Sequence, residues 1–170
     1  MSGDGWKTIL VLGGIRSGKS EFAASLLSDQ ATVRCALTAA SHPDGPDWAV
    51  VPAGRQRPPS WTVVQVGTDP ELLVDLVASA TPDETLLVDD LGGWVAGLLS
   101  SDHEPAGRGA SIDRLAAAVR DCQARLVLVS PEAGLAPTTA MSPSDRAYVD
   151  LLGTANQSLA RVCDAVALVV

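Results

Sequence analysis

The sequence predicts an α/β protein whose mostly parallel sheet is covered by helices on both faces. Three observations carry that prediction. Short apolar strands alternate with amphipathic helical segments along the chain. The first strand, Thr8–Leu12, runs straight into Gly13-x-x-x-x-Gly18-Lys19-Ser20, a phosphate-binding loop pattern with a helix directly behind it. A later apolar strand, Glu84–Asp89, ends in two carboxylates, Asp89 and Asp90.

The first strand and loop organise the rest. Two glycines, Gly13 and Gly18, let backbone N–H groups of Gly14, Ile15, Arg16 and Ser17 converge on phosphate oxygens. Lys19 supplies a cation to the β/γ-phosphates, and Ser20 offers a hydroxyl to Mg²⁺. A helix from Glu21 to Ser28 follows, with Phe22, Leu26 and Leu27 on its inner face. Val33–Ala39 reads as a second strand. The Pro- and Gly-rich stretch 40–60 then loses all periodicity, as a functional or mobile connection does. Trp61–Val66 is a third strand. Thr68 caps the next helix with Glu71 reaching back to it, and Leu72, Leu76 and Ala80 form its apolar face beside Leu73. After the strand ending at Asp89, a short helix spans Trp94–Leu99 and a polar loop spans 101–109. Ser111 then caps a helix to about Gln123 with Ile112, Leu115, Ala116 and Val119 inward. Arg125–Ser130 is a fifth strand, and 131–141 a second long loop. Ser142-Pro143 fits the cap and first position of a long helix carrying Tyr148, Leu151, Leu152, Ala155, Leu159 and Val162. Ala165–Val170 closes the chain as a strand.

Composition narrows the function. At 170 residues the chain is read as one domain, 1–170, with 46% hydrophobic and 19% charged residues. A net charge of −8 with no Lys/Arg block argues against nucleic acid and anionic membranes as partners. No apolar run approaches the roughly 18–20 residues that span a bilayer, and the N-terminus lacks a signal-peptide design. Cys35, Cys122 and Cys163 have no metal-ligand spacing, which fits reduced thiols in a cytoplasmic protein.

In open parallel sheets ligands sit beyond the carboxyl ends of the strands. The loop after the first strand, Asp89 and Asp90, and the connections after Ala39 and Ser130 are therefore expected in one cleft. Asp89 is the candidate Mg²⁺ ligand beside Ser20. Asp90, the next residue, is expected to face the opposite side of the strand from Asp89, because successive strand residues alternate. Glu132 is a candidate base or a support for the metal, and equally a plain loop carboxylate. Arg16 is a phosphate contact, a contact to a neighbouring subunit, or an exposed arginine. His42 and His103, each isolated in a polar loop, read as solvent-exposed.

The segment Ile9-Leu-Val-Leu-Gly-Gly-Ile-Arg-Ser-Gly-Lys-Ser20 resembles the opening of the adenosylcobinamide kinase / adenosylcobinamide-phosphate guanylyltransferase family of cobalamin biosynthesis. Arg57-Pro-Pro-Ser-Trp61, Leu86–Asp89 with Trp94–Leu99, Val127–Gly134 and Arg146–Ala160 resemble later pieces of that family in order. The resemblance implies a RecA-like phosphate-loop NTPase fold and a homotrimer. It also implies Mg²⁺-dependent use of GTP or ATP to phosphorylate the aminopropanol hydroxyl of a corrinoid, adenosylcobinamide, followed by GMP transfer through a guanylylated histidine. Lys19, Asp89 and Glu132 take the catalytic positions. This chain departs from the pattern where that histidine is expected: five residues before Pro58 stands Ala53, which has no nucleophile. Val149 and Pro131 replace a family arginine and asparagine. The kinase half is therefore the expectation, and two other readings fit the same residues: a kinase for another small alcohol, or a non-catalytic nucleotide-binding paralogue.

Overall fold

Six strands realise the expected alternation in the computed structural model, which describes residues 5–38, 58–67, 69–100, 105–135 and 142–170. They are β1 (Thr8–Gly13), β2 (Arg34–Leu37), β3 (Thr62–Gln65), β4 (Thr85–Val88), β5 (Arg125–Pro131) and β6 (Ala165–Val169), in the sheet order β3-β2-β4-β5-β1-β6. Every pairing is parallel, so the sheet expected to be mostly parallel is wholly so. Helices α1 (Lys19–Ser25), α2 (Pro70–Ala78), α3 (Leu91–Ser100), α4 (Pro105–Asp121) and α5 (Pro143–Ala160) lie between the strands in sequence.

Side-chain alternation divides the core into two layers. Leu10, Leu86, Val88, Leu126 and Leu128 face α2 to α5, while Ile9, Val11, Leu87, Val127 and Val129 pack with Ala23 of α1 and with Leu27 just after it. Crossover handedness accounts for the division. The connection from β1 to β2 runs one way across the sheet, and those from β3, β4 and β5 run the other way. Right-handed crossovers in opposite directions put their helices on opposite faces. The reversal falls beside β1, where such sheets open a crevice for ligands.

Several local expectations give way to tertiary packing. Helix α1 ends at Ser25, short of the expected Ser28; it buries Ser20 and Ala23, Leu27 is buried in the turn that follows, and Phe22 is 38% exposed. The side chain that caps α2 is Asp69, accepting from Glu71 N–H at 3.0 Å; Thr68 lies outside the described residues. Glu71 pairs with Arg114 on α4. Starting from Asp69, α2 buries Leu73, Leu76 and Val77 and turns Leu72 outward. The helix expected at Trp94 begins three residues earlier, at Leu91, and buries Trp94 completely with its indole N–H on the Pro70 carbonyl at 3.1 Å. The next helix starts at Pro105, so Ser111 lies inside it as a buried residue and not as its cap. Proline suits a first turn, and Arg108 ties that turn to the Leu98 carbonyl at 3.1 Å; this offsets the low helix propensity of Gly107 and Gly109. Ser142 caps α5 as expected, in a reciprocal box with Asp145.

Candidate functional site

The loop between β1 and α1 has the geometry its glycines require, each for a different reason. Gly18 sits at φ 85°, in the left-handed region, and caps α1 through its carbonyl, which accepts from Phe22 N–H at 2.9 Å. Gly13 is needed for close approach: a Cβ there would stand 2.8 Å from the Val169 carbonyl and collide with Ser17 Oγ. Arg16 takes φ 59° without being glycine, a conformation that costs of order 1 kcal/mol and that this loop imposes on an exposed side chain. Ile15 is exposed beside it.

Lys19 folds back over the loop, its ammonium donating to the Gly14 carbonyl at 3.3 Å. Ser20, in the first turn of α1, is buried and donates from Oγ to Asp89 Oδ1 at 2.9 Å. Asp89 itself is 4% exposed at the carboxyl end of β4. The two candidate metal ligands, 69 positions apart, thus meet over the end of β5, the strand separating β1 from β4. Their spacing suits Mg²⁺. Octahedral coordination at 2.0–2.1 Å puts neighbouring oxygens about 2.9 Å apart, so both can share one hard cation with phosphate oxygens and water. No group of three or more His, Cys, Asp or Glu placed to hold a metal ion occurs among the described residues.

Asp90 does different work. It precedes α3 and its Oδ1 accepts from Gly92 N–H at 2.9 Å, so it caps that helix. Its backbone carbonyl accepts the hydroxyl of Thr38, the buried residue following β2. Burial, and then the charge of Asp89, push the Asp90 carboxyl above its ordinary range, against the opposing pull of Lys19 and the helix N–H groups. Tyr148 of α5 lies beside it, and its hydroxyl is likewise shifted upward by burial and by Asp90.

Glu132 follows β5 with its backbone N–H on the Gly13 carbonyl at 2.9 Å and its carboxylate turned to Gly134 N–H at 2.9 Å. The main chain of Glu132 therefore touches the start of the loop while its side chain is engaged locally. His42, Ala53 and His103 lie outside the described residues. Sequence reading assigned no role to Ser130 and Asn156, which join β5 to α5 by a 2.6 Å hydrogen bond. Asn156 stands in the Arg146–Ala160 segment that carries the resemblance, as an amide on the stripe of Leu152, Ala155 and Leu159. An open groove of about 510 Å³ lies elsewhere, between β3 and α2, at the end of the sheet away from β1.

A parallel sheet with this loop at its crevice, a lysine and serine entering the following helix and an aspartate two strands away defines a phosphate-loop NTPase fold. Residues 9–170 match the family model described as cobinamide kinase / cobinamide phosphate guanyltransferase. The bifunctional adenosylcobalamin biosynthesis protein CobP of Pseudomonas aeruginosa is 31% identical over 162 residues, covering 95% of this chain and 91% of that protein. The bifunctional adenosylcobalamin biosynthesis protein CobU of Escherichia coli is 31% identical over 176 residues, covering 95% and 94%. Its counterpart in Salmonella typhimurium gives the same figures. The chain belongs to the cobinamide kinase / cobinamide phosphate guanyltransferase family.

Proposed function

We propose that this chain is a Mg²⁺-dependent kinase that moves the γ-phosphoryl group of GTP or ATP onto the aminopropanol hydroxyl of adenosylcobinamide. The observation that carries the reading is the 2.9 Å contact of Ser20 with Asp89 at the mouth of an intact phosphate loop, in a chain of this family. In the transfer the bond from the γ-phosphorus to the β-phosphate bridging oxygen breaks as the acceptor oxygen bonds to phosphorus, and the hydroxyl proton leaves. Bound Mg²⁺ would neutralise charge on the β- and γ-oxygens. Loop N–H groups and Lys19 orient the same oxygens, Lys19 exchanging the Gly14 carbonyl for phosphate. Ser20 and Asp89 would hold the cation. Glu132 is the candidate proton acceptor, a role that requires it to leave Gly134.

The second family activity, GMP transfer, needs a nucleophile in line with the α-phosphorus. Ala53 cannot supply one, so we read this chain as a kinase that has lost guanylyl transfer. We further infer one domain over 1–170, assembled as a homotrimer in the cytoplasm. Three reduced cysteines and described residues with no helix long and apolar enough to cross a membrane fit that setting. The exposed apolar side chains of edge strand β6, Val166, Leu168 and the adjoining Val170, fit assembly.

The test uses GTP labelled at the α- or γ-phosphate, Mg²⁺ and adenosylcobinamide. Label from the γ-position should reach the corrinoid, and no acid-labile GMP adduct should form on the protein. An adduct mapped to His42 would show a relocated nucleophile and overturn the lost-activity reading. Nucleotide binding with no phosphoryl transfer would favour a non-catalytic paralogue, and transfer only to other alcohols a different kinase.

A further inference from the structure

We infer that Asn156 is a positioning residue for the phosphate loop, acting through the carboxyl end of β5 without touching nucleotide. β5 is wedged between β1, which opens into the loop, and β4, which presents Asp89. Its last pairings with β1 set Ser130 opposite Leu12 and Pro131 opposite Gly13, and Glu132 N–H extends the ladder onto the Gly13 carbonyl at 2.9 Å. The first glycine of the loop is therefore anchored to the stretch Pro131–Glu132.

Asn156 holds that stretch from α5 with both ends of its amide. Ser130 Oγ donates to Asn156 Oδ1 at 2.6 Å, and Asn156 Nδ2 donates to the Pro131 carbonyl at 3.0 Å. Ser130 is fully buried and Asn156 is 6% exposed, so neither side chain has ready recourse to water and a broken bond is left unmade. Packing alone would be served by an apolar side chain, as it is one turn earlier at Leu152, which is also fully buried. What the amide adds is direction: two hydrogen bonds fix where Pro131 stands against α5, and through it where Gly13 stands. Tyr148, a further turn back on the same face, meets the Asp90 cap beside Asp89; the Tyr148 hydroxyl and Asp90 Oδ1 lie 2.8 and 2.9 Å from where a Gly92 Cβ would be. One helix face thus braces both strand ends that flank the site.

The inference rests on the loop being a nucleoside-triphosphate site. Its test is calorimetric binding of Mg²⁺-GTP or Mg²⁺-ATP and of the matching monophosphate to the full chain, with melting curves alongside. Asn156→Ala should weaken triphosphate binding about 10–100-fold and leave monophosphate binding within about twofold. Ser130→Ala should act in the same sense more weakly, and Ser130→Thr, which keeps the hydroxyl, should restore binding. Leu152→Ala should lower the melting temperature while leaving the ratio of the two affinities unchanged. If Asn156→Ala leaves that ratio unchanged too, the residue only holds α5 and the inference is overturned. Should Asn156→Ala fail to fold, the ratio in Ser130→Ala against Ser130→Thr decides in its place. A parent protein that binds no triphosphate removes both this inference and the site; one that binds but does not phosphorylate adenosylcobinamide removes only the proposed function.

Discussion

Asp89 illustrates how much one side chain carries. It is buried at a strand end and accepts the Ser20 hydroxyl at 2.9 Å, so replacing it with asparagine changes its charge with almost no change in volume and keeps an acceptor for Ser20. Asp89→Asn is expected to fold normally and to lose most of the Mg²⁺ dependence of triphosphate binding. Titrations with and without Mg²⁺ check this, and an unchanged Mg²⁺ response would remove the metal assignment. Glu84 carries stability instead. It accepts from Thr81 N–H at 2.7 Å and pairs with Arg34 at 2.6 Å, and these partners, the backbone N–H first, hold its carboxyl below the ordinary 4.5. A carboxylate with a depressed folded-state pKa stabilises the fold above its unfolded value, and that contribution fades as pH falls through the lowered one. Because Arg34 is more than a third exposed, water screens the pair. Glu84→Gln should cost about 0.5–1 kcal/mol at neutral pH, with the gap to the parent narrowing in urea melts taken below pH 4.5.

Elements in this protein are set by caps as much as by periodicity. α5 starts where Ser142 Oγ accepts from Asp145 N–H at 3.2 Å and Asp145 returns the bond to Ser142 N–H at 2.9 Å. Ser142→Ala should therefore cost about 1 kcal/mol, and Ser142→Gly only a few tenths beyond the parent, measured as shifts in denaturation midpoint. An equal loss in both variants would mean that the box does not hold the helix start. The start of α3 is governed by a different balance. Asp90 caps it while buried next to a second carboxylate, so cap geometry is obtained at an electrostatic cost that an exposed cap would not incur. Ser111 marks the opposite case. A residue type that caps helices well sits in the middle of α4, because Pro105 and the Arg108–Leu98 contact start the helix earlier.

At the scale of the whole molecule the sheet has two edges, β3 and β6. β6 leaves Val166 48% and Leu168 58% exposed, and an apolar edge of that kind pairs or aggregates unless it is covered. Sedimentation at micromolar concentration is expected to give a trimer, and a monomer there would remove the assembly. The same topology explains the position of the site. Parallel strands deliver Gly13, Thr38, Asp89 and Pro131 to one rim, and the reversal of crossover direction at β1 leaves that rim open beside the loop.

The strand and helix order, the loop, and the meeting of Ser20 with Asp89 could be read from residues alone, since apolar periodicity and the Gly13–Ser20 spacing are local patterns with local causes. Which face each short helix buries could not be read so. Leu72 and Leu73 are adjacent and equally apolar, and only the sheet beneath α2 selects Leu73. Nor could the joining of Ser130 to Asn156 or the cap at Asp90, because one depends on a contact across 26 positions and the other on a helix start that apolar periodicity did not mark. Periodicity reports what a segment does with water. Partners distant in sequence are chosen when the layers close, because buried polar groups must then find one another.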